Sequence, residues 1–97
     1  MLSDKIKNLS ALCKCSITIN INEHNGNNFE DIILKYNNID SDILESIPKE
    51  IFSKMIEMDS FVEIIFDSDQ FPEIYHYDLD LAIDQAIGLI KCLLQNN

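Results

Sequence analysis

From Cys15 to Asn22 the chain alternates without a break, setting Cys15, Ile17, Ile19 and Ile21 against Ser16, Thr18, Asn20 and Asn22. A two-residue period puts the isoleucines on one face of a β-strand and small polar groups on the other. Such a strand belongs in a sheet covered on one side, and sheets of that kind are antiparallel; a parallel sheet is buried on both faces. The predicted class is therefore α+β, with helices on one face of a small, mostly antiparallel sheet. At 97 residues the chain fits a single domain spanning 1–97. Its 46% hydrophobic content, with 17 isoleucines, is enough for one core and argues against a disordered acidic tail.

The remaining elements follow from spacing. Leu2, Ile6, Leu9 and Leu12 or Cys13 recur at helical steps, predicting a helix over 3–12 with Ser3 as its cap. Glu23 to Asn28 contains Asn25-Gly26 and reads as a turn or loop. Over Phe29–Tyr36, Phe29, Ile32, Ile33 and Tyr36 share a helical face, and Asn28 with Asp31 resembles a capping box. Helix is preferred there; a strand would make Ile32, Ile33 and Leu34 consecutive, fitting only a strand buried on both sides. Asn37 to Glu45 is polar and irregular. Pro48 opens a helix with Ile51, Phe52, Met55 and Ile56 on its apolar side, ended by Asp59-Ser60. Phe61–Phe66 is a central strand, and Glu73–Tyr77 a third strand paired to it antiparallel across a short loop. Asp78 caps a last helix whose core stripe is Leu79, Ala82, Ile83, Ala86, Ile90, Leu93 and Leu94. Gly88 inside that stripe predicts a close approach by another element. The order is α-β-α-α-β-β-α, a three-stranded sheet with four helices.

Reactive side chains are few and poorly arranged for chemistry. Cys13, Cys15, Cys92, His24 and His76 lack the paired spacing of a zinc site. Asp67, Asp69 and Glu73 cluster near one loop, without the third acid and glycine that a calcium loop requires. No nucleophile elbow or phosphate-binding glycine loop accompanies the Ser, His and Asp residues. The expectation is no enzyme, no metal and no cofactor. Three cysteines suit a reducing cytoplasm better than a disulfide framework. The first residues lack the apolar run of a signal peptide, and no stretch reaches a membrane span.

Charge is the strongest functional cue. The net charge of −10 disfavours direct binding of nucleic acid and of anionic membranes. Between residues 55 and 90 there are nine carboxylates and no lysine, so −9 of the −10 falls in one stretch. With its segments expected side by side in space, the candidate partner-binding residues are Glu57, Asp59, Glu63, Asp67, Asp69, Glu73, Tyr75, Tyr77, Asp80 and Asp84. Tyrosines on a half-exposed sheet face would anchor a contact that the carboxylates steer. The competing reading assigns the acids to solubility and helix capping.

Ile47-Pro48-Lys49-Glu50-Ile51, Met55-Ile56, Asp59-Ser60 and Val62-Glu63, followed by Pro72, Tyr75-His76-Tyr77-Asp78-Leu79, Ala82-Ile83 and Ala86, form a recognisable pattern. It resembles one found in small, largely uncharacterised acidic proteins of phages and prophages, over residues 47–86. Such proteins include anti-CRISPR inhibitors and DNA mimics. The resemblance carries over no functional residue. It implies a cytoplasmic inhibitor that blocks the basic, nucleic-acid-binding surface of a host defence protein. A sponge for a signalling nucleotide and a homodimeric accessory protein are the alternatives.

Overall fold

The structure is a computed structural model that describes residues 1–23, 47–58 and 60–95. Six elements follow one another there: α1 (Leu2–Cys13), β1 (Ile17–Glu23), α2 (Lys49–Glu57), β2 (Ser60–Phe66), β3 (Ile74–His76) and α3 (Leu79–Gln95). Glu23, expected to open a turn or loop running to Asn28, ends β1 instead; the rest of that turn, the helix preferred over Phe29–Tyr36 and the irregular stretch to Glu45 lie outside the described residues. So does Asp59.

The three strands form one sheet in the order β1-β2-β3, antiparallel throughout. β1 pairs with β2 from Ile17↔Phe66 to Glu23↔Ser60, and β3 pairs with β2 at Ile64↔Ile74 and Val62↔His76. The expected α+β class, with a three-stranded antiparallel sheet, is what the chain adopts. β2 takes the centre because its β-branched and aromatic side chains pack on both faces.

On one face, Val62, Ile64, Phe66 and Ile74 meet Leu9 and Cys13 of α1 and Ala82, Ile83, Ala86 and Ile90 of α3. These residues are the main core. α1 and α3 run side by side in the same direction: Lys5 reaches Asp80 and Asp84, while Leu12 shares a groove with Ile87 and Lys91. The helices were expected on one face, and these two are there. α2 lies on the other, where Met55 and Ile47 pack with Phe61 and Tyr75. The physical reason is in β2 and β3, whose opposite parity is also apolar and needs cover. Alternation in β1 describes only the outer strand that carries it.

Two local expectations change. α1 begins after Met1 rather than at a Ser3 cap, and Ser3 is inside the helix. Gly88 is exposed, and a Cβ there would meet nothing from other elements within 4 Å among the described residues, so none of the described elements approaches it. Asp78 does cap α3: its carboxylate accepts the Leu81 amide at 2.9 Å, and its carbonyl accepts the Ala82 amide at 2.9 Å. Among the described residues no helix is long and apolar enough to cross a membrane.

Candidate functional site

The register separates the acidic stretch into three groups. β2 has seven residues, which at the usual strand rise is ~20 Å from end to end. At its start, Glu23 lies opposite Ser60, and Val62↔His76 brings Asp78 to the same end two residues later. α2 delivers exposed Glu57 there, and α3 begins there with exposed Asp80. At the far end of β2 are Asp67 and Asp69, both exposed, where the Asp67 amide donates to the Ser16 carbonyl at 2.9 Å. The stretch expected to form one face is thus divided between the two ends of the sheet.

The third group is inside. Glu63 is only 1% exposed. Its carboxylate accepts the Asn20 side-chain amide at 3.1 Å and the Tyr75 hydroxyl at 2.9 Å. The same hydroxyl lies 2.5 Å from the half-buried Glu73 carboxylate. A phenol has a single proton to donate, so two carboxylates compete for it. Burial first, and then the two glutamates, push the Tyr75 phenol far above the ordinary tyrosine range. This polar chain ties β1, β2 and β3 together. Glu63 and Tyr75 were expected at a contact surface; both are buried, Tyr75 against Met55 of α2. Tyr77 is half-buried, with its ring 5.7 Å from the Lys54 ammonium and 4.5 Å from the His76 ring.

Asp80 and Asp84 are exposed but not unpaired. The Lys5 ammonium lies 2.7 Å from Asp80 and 3.0 Å from Asp84. Hydrogen bonding to Asp80, then to Asp84, holds the lysine above its usual value. Nothing in local spacing points to Lys5, because the pairing joins opposite ends of the chain.

A second set of residues was missed altogether. Met1, Ile21, Ile56, Met58 and Leu81 are exposed apolar side chains, and Ile21 is 62% exposed. Connectivity and register bring all five to the end of the sheet that holds Glu23, Glu57, Asp78 and Asp80. The only other large exposed hydrophobic among the described residues is Leu94, in the last turn of α3. Alternation assigned Ile21 to the core with Cys15, Ile17 and Ile19, and those three pack against it while Ile21 does not.

His76 has a structural engagement. Its Nδ1 accepts the Asp78 backbone amide at 3.1 Å, and burial holds the ring below its usual value against the opposing pull of Asp78. Among the described residues, no three His, Cys, Asp or Glu side chains converge as metal ligands. The arrangement offers a surface of mixed charge and apolar character rather than a reacting constellation. No family model matches the chain, and neither a curated protein nor a solved structure does.

Proposed function

We propose that this chain is a non-enzymatic binding protein that covers a basic, partly apolar surface on a protein partner. Its contact surface is the end of the sheet carrying Glu23, Glu57, Asp78 and Asp80 together with Ile21, Ile56, Met58 and Leu81. One observation carries the reading: exposed carboxylates and five of the six large exposed apolar side chains among the described residues gather at that end. Carboxylates steer encounter with a cationic surface and reject anionic competitors. Apolar groups among them supply desolvated contact area. Basic surfaces of this kind hold nucleic acid, so an acidic occupant displaces it by engaging the same lysines and arginines. In the phage setting that the sequence pattern resembles, the partner is a host defence protein. A second copy is a poorer fit to this surface, since a symmetric contact would set carboxylate against carboxylate.

The test is a pull-down from a bacterial host lysate, followed by titration of the purified partner at low and high salt. Glu57→Lys with Leu81→Asp should weaken binding at least tenfold, whereas Asp67→Lys with Asp69→Lys should change it far less. Equal affinity at both salt concentrations, or an equal loss from the two pairs of substitutions, overturns the reading.

A further inference from the structure

Cys13 and Cys15 flank Lys14, which ends α1 with φ 55° and ψ 34°. Lys14 is the only non-glycine residue with positive φ among those described, and lysine seldom adopts this left-handed conformation. The φ and ψ of a residue set the distance between the Cα atoms on either side of it. A left-handed helical residue mirrors a right-handed one, so the Cα spacing across Lys14 is that of i and i+2 in an α-helix. The helix radius and rise make that about 5.4 Å. Disulfides span Cα separations of about 4.4–6.8 Å, most often about 5.5–6 Å. An extended residue at 14 would instead separate the two by roughly 6.7 Å, at the limit of bridging.

The Cys13 sulfur also lies against Cys15. The Cys13 Sγ lies 3.7 Å from the Ser10 carbonyl oxygen and 3.6 Å from that of Cys15. Cys13 is buried and Cys15 half-buried, so a small oxidant meets Cys15 first and finds Cys13 behind it.

We propose that Cys13 and Cys15 form a thiol pair that a peroxide oxidises to a disulfide across the Lys14 turn. In the first step the Cys15 thiolate attacks one peroxide oxygen and the O–O bond breaks. Cys15 becomes a sulfenic acid, and the departing hydroxide leaves as water with the proton that the thiol had released. In the second step the Cys13 thiolate attacks the Cys15 sulfur, the S–S bond forms and the S–OH bond breaks. The hydroxide takes the Cys13 proton as a second water. Two thiols lose two electrons and the peroxide gains them. Burial, and then the neighbouring Cys13 thiol, raise the Cys15 thiol above its usual value. Thiolate is therefore scarce near neutrality, and oxidation accelerates as pH rises. The product would pin the turn that joins α1 to β1, where both cysteines pack on the main core.

The experiment treats the full chain and its Cys92→Ser variant with hydrogen peroxide at a series of pH values, followed by thiol titration and peptide mass mapping. The expected result is loss of both thiols, a peptide containing residues 13–15 lighter by two hydrogens, a faster reaction at higher pH and reversal by dithiothreitol. Cys15→Ser should abolish the mass loss while leaving the far-ultraviolet circular dichroism unchanged. Persistence of both thiols, or gain of oxygen at Cys15 without loss of two hydrogens, overturns the proposal. Mapping the unsubstituted chain keeps the test valid if Cys92→Ser disturbs folding, because Cys92 lies on a different peptide.

Discussion

The ammonium of Lys5 lies 2.7 Å from a carboxylate oxygen of Asp80, across 75 positions of sequence. α1 therefore returns to the start of α3 a cation that residues 55–90 do not contain. The charge excess that dominates the sequence is partly answered in space, and the answer is a helix pairing. Glu63 is removed from the surface, and Asp78 is engaged as a cap. What is left exposed at the start of β2 is smaller than the linear count, and it is interleaved with apolar side chains.

Lys5→Gln should lower the melting temperature at low ionic strength and have little effect in high salt. Exposed charge pairs are screened within about a Debye length, ~10 Å at 0.1 M salt. The same substitution unmasks Asp80 and Asp84, so it should strengthen binding to a cationic partner while weakening the fold. Thermal melts at two salt concentrations check the first effect; a decrease independent of salt would mean that Lys5 acts through packing.

Tyr75→Phe should destabilise the protein by about 1–3 kcal/mol, the cost of leaving a buried acceptor without its donor. The loss would appear as a lower urea midpoint with an unchanged slope. Replacing Glu63 by Gln in the same background should cost less than it does alone, because the two groups share one hydrogen bond. Strict additivity of the two losses would contradict the contact.

Stability should fall as the solution is acidified through about pH 6.5, the ordinary value for histidine. His76 binds a proton less readily in the folded chain than in the unfolded one, chiefly because it is buried. Where the unfolded state holds more protons, stability rises with pH and is lost as pH falls. Protonation at Nδ1 also ejects the Asp78 amide that this nitrogen accepts, loosening the start of α3. His76→Gln should flatten the dependence between about pH 5 and 7, measured by urea denaturation. An unchanged slope would assign the acid sensitivity to other groups.

Gly88→Ala should stabilise the protein by about 0.5–1 kcal/mol, since glycine costs that much in a helix interior. The position is exposed, and among the described residues a methyl group there meets no atom of another element within 4 Å. Chemical denaturation decides it, and a destabilised variant would reveal a neighbour at that face.

The kinds of element were legible because periodicity is local. Alternation in β1, the aromatic and β-branched run of β2, the stripe of α3 and the Asp78 cap each depend on residues within a few positions of one another. The short loop after Phe66 required an antiparallel pair, and the register has one. The candidate site was less legible. Glu63 and Tyr75 occupy alternating positions that suggested a half-exposed face, and only the arrival of α2 against Phe61 and Tyr75 turned that face into a second core. Ile21 continues the pattern of Ile17 and Ile19, yet its exposure depends on what covers the end of β1.

The sequence by itself determined the net charge, the α+β class, the antiparallel pairing and the order of the described elements. These follow from backbone preferences and from the need to bury one apolar face of each element. Tertiary structure alone decided that Lys5 meets Asp80, that Glu63 is interior, and that Asp67 and Asp78 stand at opposite ends of the sheet. Those relationships depend on strand register and helix placement between segments far apart in the chain. Such distances carry no periodic signal, because the energy that sets them comes from packing surfaces formed only when the whole domain closes.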